Sequence, residues 1–164
     1  MGVPQSRERV FFVAVRKDLV TKELLFPTLF GRPKLRLNLE FYEKEILFRD
    51  ISDKEDTKPD LTPLYLKYWN SSFLNSQCSV GKFMSQVRLH EDRVPYTTVS
   101  SHVNFHPTIP RRLNKKEIIQ IQSFPLDYNF LNEYGCYVCG MSVPPVMTAQ
   151  IVTRIYNQIL SKLK

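Results

Sequence analysis

An α/β fold is what this sequence predicts, and three observations carry it. Residues 10–16 read Val-Phe-Phe-Val-Ala-Val-Arg, a short run of β-branched and aromatic residues with the pattern of a buried strand. Two helices are marked out after residue 106, one by a capping pair and one by a proline pair followed by a four-residue apolar repeat. Between these regions Pro27, Gly31, Pro33, Pro59 and Pro63 punctuate the chain and leave room only for short elements.

The strand comes first in the chain. It is bounded by the polar segment 5–9 and by Arg16-Lys17-Asp18, and its apolar character on both faces calls for covering layers. Its backbone N–H and C=O groups need partners as well, yet the next sixty or so residues hold no comparable strand–helix alternation. Those partners are expected far downstream or on another chain. From residue 19 to about 95 the apolar pieces are short, and there is no internal repeat or low-complexity tract. Tyr65, Lys67, Tyr68, Trp69, Phe83 and Arg88 interleave aromatic and basic side chains, a mixture suited to gripping DNA and equally able to form a small core. Eight acidic residues between Glu40 and Asp60 read most simply as a solvated face.

Asn114 stands three residues before Glu117, the spacing of a capping box, and Phe124-Pro125 forces an end, so a helix is expected from 115 to about 123. Ser142-Val143-Pro144-Pro145 opens the second helix, because proline is tolerated in a first turn. Met147, Ile151, Ile155, Ile159 and Leu163 then recur at every fourth residue, with Val152 widening the stripe. Such a helix must bury one side. The expected organisation is therefore a strand segment at 1–18, a lobe at 19–105 and a helical return at 106–164.

Lys and Arg number 23 against 16 Asp and Glu, a net charge of +7 with its excess toward both ends. A phosphate-bearing partner suits that balance without being required by it. No stretch approaches the roughly 18 uninterrupted apolar residues of a membrane helix, and no basic segment precedes an apolar signal core, so neither is expected. Three Cys without a leader fit free thiols in a reducing cytoplasm.

Three motifs then carry a resemblance. Gln5-Ser6-Arg7-Glu8-Arg9, running into Val10-Phe11, resembles the Gln-x-Arg-x-Arg motif of DNA (cytosine-5) methyltransferases. Arg111-Arg112-Leu113 with Glu117, continued by Gln122-Ser123-Phe124-Pro125, looks like that family's Arg-x-Leu-x-x-x-Glu helix and Gln-x-Phe-Pro turn. Gly140-Met141-Ser142-Val143-Pro144-Pro145 is similar to its Gly-Asn-Ser-Val-Pro-Pro motif. The three occur in the family's order, and the residues between the first and second correspond to its variable target-recognition region. The resemblance implies the C-terminal part of an S-adenosylmethionine-dependent, Rossmann-like methyltransferase domain carrying an inserted, mixed, loop-rich DNA-recognition lobe.

Arginines two apart on an extended segment put two guanidinium forks on one side, suited to phosphate and to the O2 edge of an extruded cytosine. By resemblance Arg7 and Arg9 face the flipped base or its flanking phosphates, with Gln5 and Arg111 also expected at the DNA. Arg112 could touch phosphate or be tied structurally to a carboxylate. Lys82, Gln86 and Arg88, together with Gln77, are the candidate base readers. Ser142 and Val143 are implied at the edge of the S-adenosylmethionine site, where Met141 replaces the family's Asn and cannot make its amide hydrogen bonds.

Several family motifs do not occur in these residues. No two of Gly2, Gly31, Gly81, Gly135 and Gly140 stand one residue apart, as the Phe-x-Gly-x-Gly donor loop requires. None of Cys78, Cys136 and Cys139 follows a proline, as the family's nucleophile does, and Glu-Asn-Val does not occur. Covalent catalysis needs a thiolate at cytosine C6, so the chain is expected to be inactive alone. The resemblance implies that it binds duplex DNA and selects the target. A second chain with the N-terminal motifs would then supply the Cys that attacks C6 before methyl transfer to C5. Met1, just ahead of the first motif, fits a split enzyme's specificity subunit and the product of an interrupted gene alike. A non-catalytic DNA-binding or regulatory remnant is the alternative. The expected location is the cytoplasm, at the nucleoid in a bacterium.

A zinc site from His102, His106, Cys136 and Cys139 has suitable spacings, H-x3-H and C-x2-C, but the order is reversed relative to a zinc finger and Cys139 abuts Gly140. No metal is expected. His106 reads as a loop feature, and the cysteines read as small buried hydrophobes.

Overall fold

The computed structural model describes residues 1–20, 24–26, 29–30, 34–35, 37–60, 87–98, 100, 104–131 and 133–163. Its helices are α1 (Phe48–Ile51), α2 (Lys115–Ile121), α3 (Gly135–Met141) and α4 (Pro145–Gln158), with single 3-10 turns at Lys17–Leu19 and Leu160–Lys162. The only sheet among the described residues is the antiparallel pair β1 (Leu25–Phe26) and β2 (Lys34–Leu35), in which Leu25 faces Leu35 and Phe26 faces Lys34.

α2 begins where the capping pair predicts. The Asn114 side chain accepts from the Glu117 N–H and the Glu117 carboxylate accepts from the Asn114 N–H, each at 2.9 Å. It stops at Ile121 because Ser123 turns left-handed, φ 56°, and the Phe124 N–H reaches back to the Ile119 carbonyl, a Schellman-type ending. α4 starts with Pro145 at its first position, again as expected.

α3 has no such marker in the sequence. Its N-cap, Tyr134, makes no side-chain capping bond. What holds α3 is burial: Cys136 and Cys139, one turn apart, enter the same core as Ile118, Ile119, Ile121, Phe48, Leu89 and Leu113. Gly135 allows the approach, since a Cβ there would stand 3.2 Å from Lys115 Cε and 3.4 Å from the Phe130 ring.

Backbone pairing outside the named strands is sparse but joins distant segments. The Phe105 N–H donates to Val87 O and the Leu89 N–H to Phe105 O, while Leu113 N–H and His106 N–H close the ladder on Asn104 O and Arg111 O. The Ser6 N–H donates to Pro95 O, which lays the N-terminal arm alongside residues 95–98.

Three expectations are corrected. Residues 10–16 form no strand, and Val10 and Phe12 are 80% and 95% exposed, because no described segment offers them a ladder. The apolar stripe of α4 is narrower than its repeat suggests: Met147, Ile151 and Ile159 are buried, Ile155 is half-buried and Val152 is exposed. The acidic block 40–60 is not wholly solvated, since Asp53 and Asp56 turn toward the start of α2. A Rossmann-like sheet does not form among the described residues. The aromatic and basic side chains at 65–69 and 83, with the whole of 61–86, lie outside them. By length and composition the stretch Gly135–Lys162 could cross a membrane, but it divides into α3 and α4 at Ser142 to Pro144 and its core-facing residues are buried in the protein.

Candidate nucleic-acid interface

The N-terminal arm is fixed by the residue types the first motif supplies, and its three polar side chains have three different fates. Gln5 is buried, and its amide donates to Ile121 O and Gln122 Oε1, both at 3.0 Å, which pins the arm to the end of α2. Arg7 is half-buried. Its Nη2 donates to Ser142 O at 2.8 Å and Gly140 O at 3.4 Å, and its Nη1 to Thr98 O at 3.4 Å. Burial, with the nearby charge of Arg9 second, holds this guanidinium below its ordinary value. Arg9 is exposed and bonds only to the adjacent Glu8 carbonyl among the described residues. A groove of about 330 Å³ lies beneath the arm, lined among others by Gly2, Gln5, Arg7, Glu43 and Met147.

Gln5 and Arg7, both expected at DNA, make their hydrogen bonds inside this chain. Both reach carbonyl or amide oxygens, because the arm crosses the ends of α2 and α3, where main-chain carbonyls lack helical partners, while Arg7 Nε is left without a partner among the described residues. The spacing of Arg7 and Arg9 is as read, but one fork points in and the other out.

Arg111, likewise expected at DNA, also bonds inside the chain. It is 5% exposed, and its Nη1 and Nη2 meet the two Glu117 carboxylate oxygens at 2.9 Å each, a bidentate pair, while Nη2 also reaches Asp56 O. Burial alone would lower its affinity for the proton; the Glu117 bond and the Glu117, Asp56 and Asp53 charges outweigh it and hold Arg111 above its ordinary value. So Arg111 supplies the structural carboxylate tie left open for Arg112. The Asn114 amide extends the network to Asp53 and Asp56, and Lys116 adds an ion pair to Asp53.

His106 completes this cluster and was missed as more than a loop residue. Its Nδ1 accepts from the Thr108 and Ile109 N–H groups at 3.2 and 3.1 Å, so the proton sits on Nε2, facing Ser52 Oγ at 3.1 Å and Glu117 Oε1 at 3.7 Å. Burial, opposed by Glu117, keeps the imidazole below its ordinary value. Nothing in a lone His-Pro pair signals these partners. The Asn114–Glu117 capping pair was the one readable hint that Glu117 turns inward.

Among the candidate base readers Arg88 is half-buried beside Phe105, while Lys82, Gln86 and Gln77 lie outside the described residues. Cys136 and Cys139 are buried thiols, and burial, with Cys136 second, pushes Cys139 up to about 11. Among the described residues no three His, Cys, Asp or Glu side chains gather as a metal site, and His102 lies outside them.

A profile of C-5 cytosine-specific DNA methylases matches residues 1–157. This chain belongs to that family. The chain is 31% identical to the Type II methyltransferase M.BbvI of Brevibacillus brevis over 88% of its own length and 42% of the relative's. It is 27% identical to M.FnuDI of Fusobacterium nucleatum over 99% and 54%, and 29% identical to M.MthTI of Methanothermobacter thermautotrophicus over 96% and 53%. The chain thus spans about half the length of the curated relatives it matches. A solved structure of a DNA modification methyltransferase encoded within an E. coli prophage aligns with 49% of this chain and 23% of its own at 25% identity, with a TM-score of 0.40.

Family membership implies S-adenosylmethionine, and the described residues do not build a site for it. Ser142 spends its hydroxyl on Cys139 O and its carbonyl on Arg7, Val143 is an exposed aliphatic, and Met141 brings no hydrogen-bonding group.

Proposed function

We propose that this methylase chain is the target-selecting, DNA-binding part of a DNA (cytosine-5) methyltransferase. Methyl transfer from S-adenosylmethionine to cytosine C5 depends on motifs these 164 residues do not contain. The observation that carries the reading is Arg9: an exposed guanidinium two residues beyond Arg7, on an arm anchored through Gln5 and Arg7 on its N-terminal side. An exposed fork at the end of an anchored stretch is free to meet a phosphate or a base edge. The basic balance of the chain adds attraction for duplex DNA. The 19–105 lobe, with Lys82, Gln86 and Arg88, supplies target choice. Ser142 and Val143 border the cofactor-bearing part only through the turn they make. A second chain carrying the Gly-rich loop, Pro-Cys and Glu-Asn-Val completes the enzyme, in the cytoplasm and at the nucleoid of a bacterial cell.

The test is methyl transfer from labelled S-adenosylmethionine to mixed-sequence duplex DNA, by this chain alone and co-expressed with a partner holding the missing motifs. Silence alone and activity on mixing is the expected result. Activity from the chain alone overturns the division of labour. Silence in both, with DNA binding retained, identifies a non-catalytic binding module. In the active mixture Arg9→Ala should weaken DNA binding about tenfold, the cost of one charge-assisted contact.

A further inference from the structure

The 37–60 stretch is tied to the helical return at two places of opposite character. One is buried: Phe48 and Ile51 of α1 enter the core of α2, and Asp53 and Asp56 meet Asn114 at its start. The other lies on α4, where Arg154 and Gln158 are half-buried and stand one turn apart on the same face. Gln158 Nε2 donates to Asn38 O at 2.9 Å, and its Oε1 accepts from the Asn38 N–H at 2.8 Å. One side-chain amide thus pairs with both main-chain groups of one residue, as a neighbouring strand would. Arg154 Nη2 donates to Glu40 O at 2.9 Å, and its guanidinium stands over the Phe41 ring, 5.4 Å from the centroid. Asn38 shapes the turn that is gripped, its Oδ1 accepting from the Glu40 N–H at 2.7 Å.

We propose that Arg154 and Gln158 are positioning residues for target selection: they clamp 38–41 to α4 and, with the buried anchor at 48–56, fix the direction in which the lobe meets DNA. This rests on the reading that the 19–105 lobe selects the target. A segment held at one point can pivot there, and a second hold removes the pivot. Apart from the Phe41 ring the clamp grips main chain, so it sets the path of the segment whatever side chains follow it. Its hydrogen bonds compete with water at an exposed segment, so their loss frees a direction and leaves the core intact.

The test offers a mixed-sequence duplex pool to the chain co-expressed with a partner holding the missing motifs. Methylated sites are read by sequencing, and duplex binding is followed against salt. Arg154→Ala with Gln158→Ala should keep methyl transfer and the slope of log affinity against log salt, and should cut the preference for the favoured site over its single-base neighbours about tenfold. An unchanged set of methylated sites overturns the proposal. So does a slope flattened by about 0.9, the mark of a lost phosphate contact. Gln158→Glu keeps the acceptor for the Asn38 N–H, and Arg154→Lys keeps a donor for Glu40 O; each should fall between the unaltered chain and the double variant, and they replace it if it does not fold. In the chain alone, Gln158→Ala should speed exchange of the Asn38 amide about tenfold. If the unaltered mixture methylates no DNA, the proposed function fails instead, and the Asn38 exchange rate alone decides for or against the clamp.

Discussion

His106 accepts two backbone N–H groups on Nδ1, and a protonated imidazole has no lone pair there to accept them. Taking up a proton would break the 106–109 turn against Phe48 and Ser52; of the charges that act on the ring, Glu117 and Asp56 favour the proton and Arg111 opposes it. Burial is the larger influence, so the folded protein binds this proton more weakly than the unfolded chain does. The unfolded state then carries more protons as the pH falls below the ordinary value of 6.5, and stability rises with pH across that window. The contribution is complete above 6.5 and is lost as the pH falls toward the lowered folded value. Asp53 and Glu43, held below their ordinary values of 3.8 and 4.5, act only at lower pH. Urea unfolding between about pH 5 and 7 should show this slope. His106→Asn, whose side-chain oxygen can accept both N–H groups without titrating, should flatten it; an unchanged slope would assign it elsewhere. Residue types were legible at this scale and orientations were not. Arg7 and Arg9 are indistinguishable by spacing, and what parts them is a set of carbonyls 91 to 135 positions away.

At the scale of elements, legibility followed the locality of the signal. The α2 start could be read because its capping partners lie three residues apart, and the α4 start because a proline acts on the backbone beside it. α3 could not, because Gly135 and Gly140 weaken its propensity and its support comes from the core beneath Cys136 and Cys139. The strand pattern at 10–16 describes what the segment would do with a neighbour, and none of the described residues is that neighbour. Asn114 does more than cap: it accepts from Glu117 N–H and donates to both Asp53 and Asp56, tying α2 to the segment after α1. Asn114→Ala should cost about 1–2 kcal/mol by denaturant midpoint, toward the upper end of an ordinary N-cap loss, because carboxylate partners are lost with it. Asn114→Asp would keep the cap but set a third carboxylate against Asp53 and Asp56, and should recover little. Full recovery with Asp would leave capping as the whole of its role.

For the molecule as a whole, the placement of apolar surface matters more than its amount. Val10 and Phe12 stand 80% and 95% exposed on an extended segment with no ladder among the described residues, so one edge presents both apolar side chains and hydrogen-bonding backbone. Leu29 and Phe30, 90% and 91% exposed, add to the apolar surface. Against this stands a net charge of +7, which repels copies of the chain from one another at low salt and is screened at high salt. The balance predicts association that rises with concentration and with ionic strength, readable by sedimentation velocity. Val10→Lys with Phe12→Lys puts charges on that edge without touching Gln5, Arg7 or the core, and should hold the chain monomeric at concentrations where the unaltered chain associates. An unaltered chain that stays monomeric in high salt would mean that the 10–16 edge is covered by the protein itself. A charged variant that associates as before would place the sticky surface elsewhere, with Leu29 and Phe30 the next to replace.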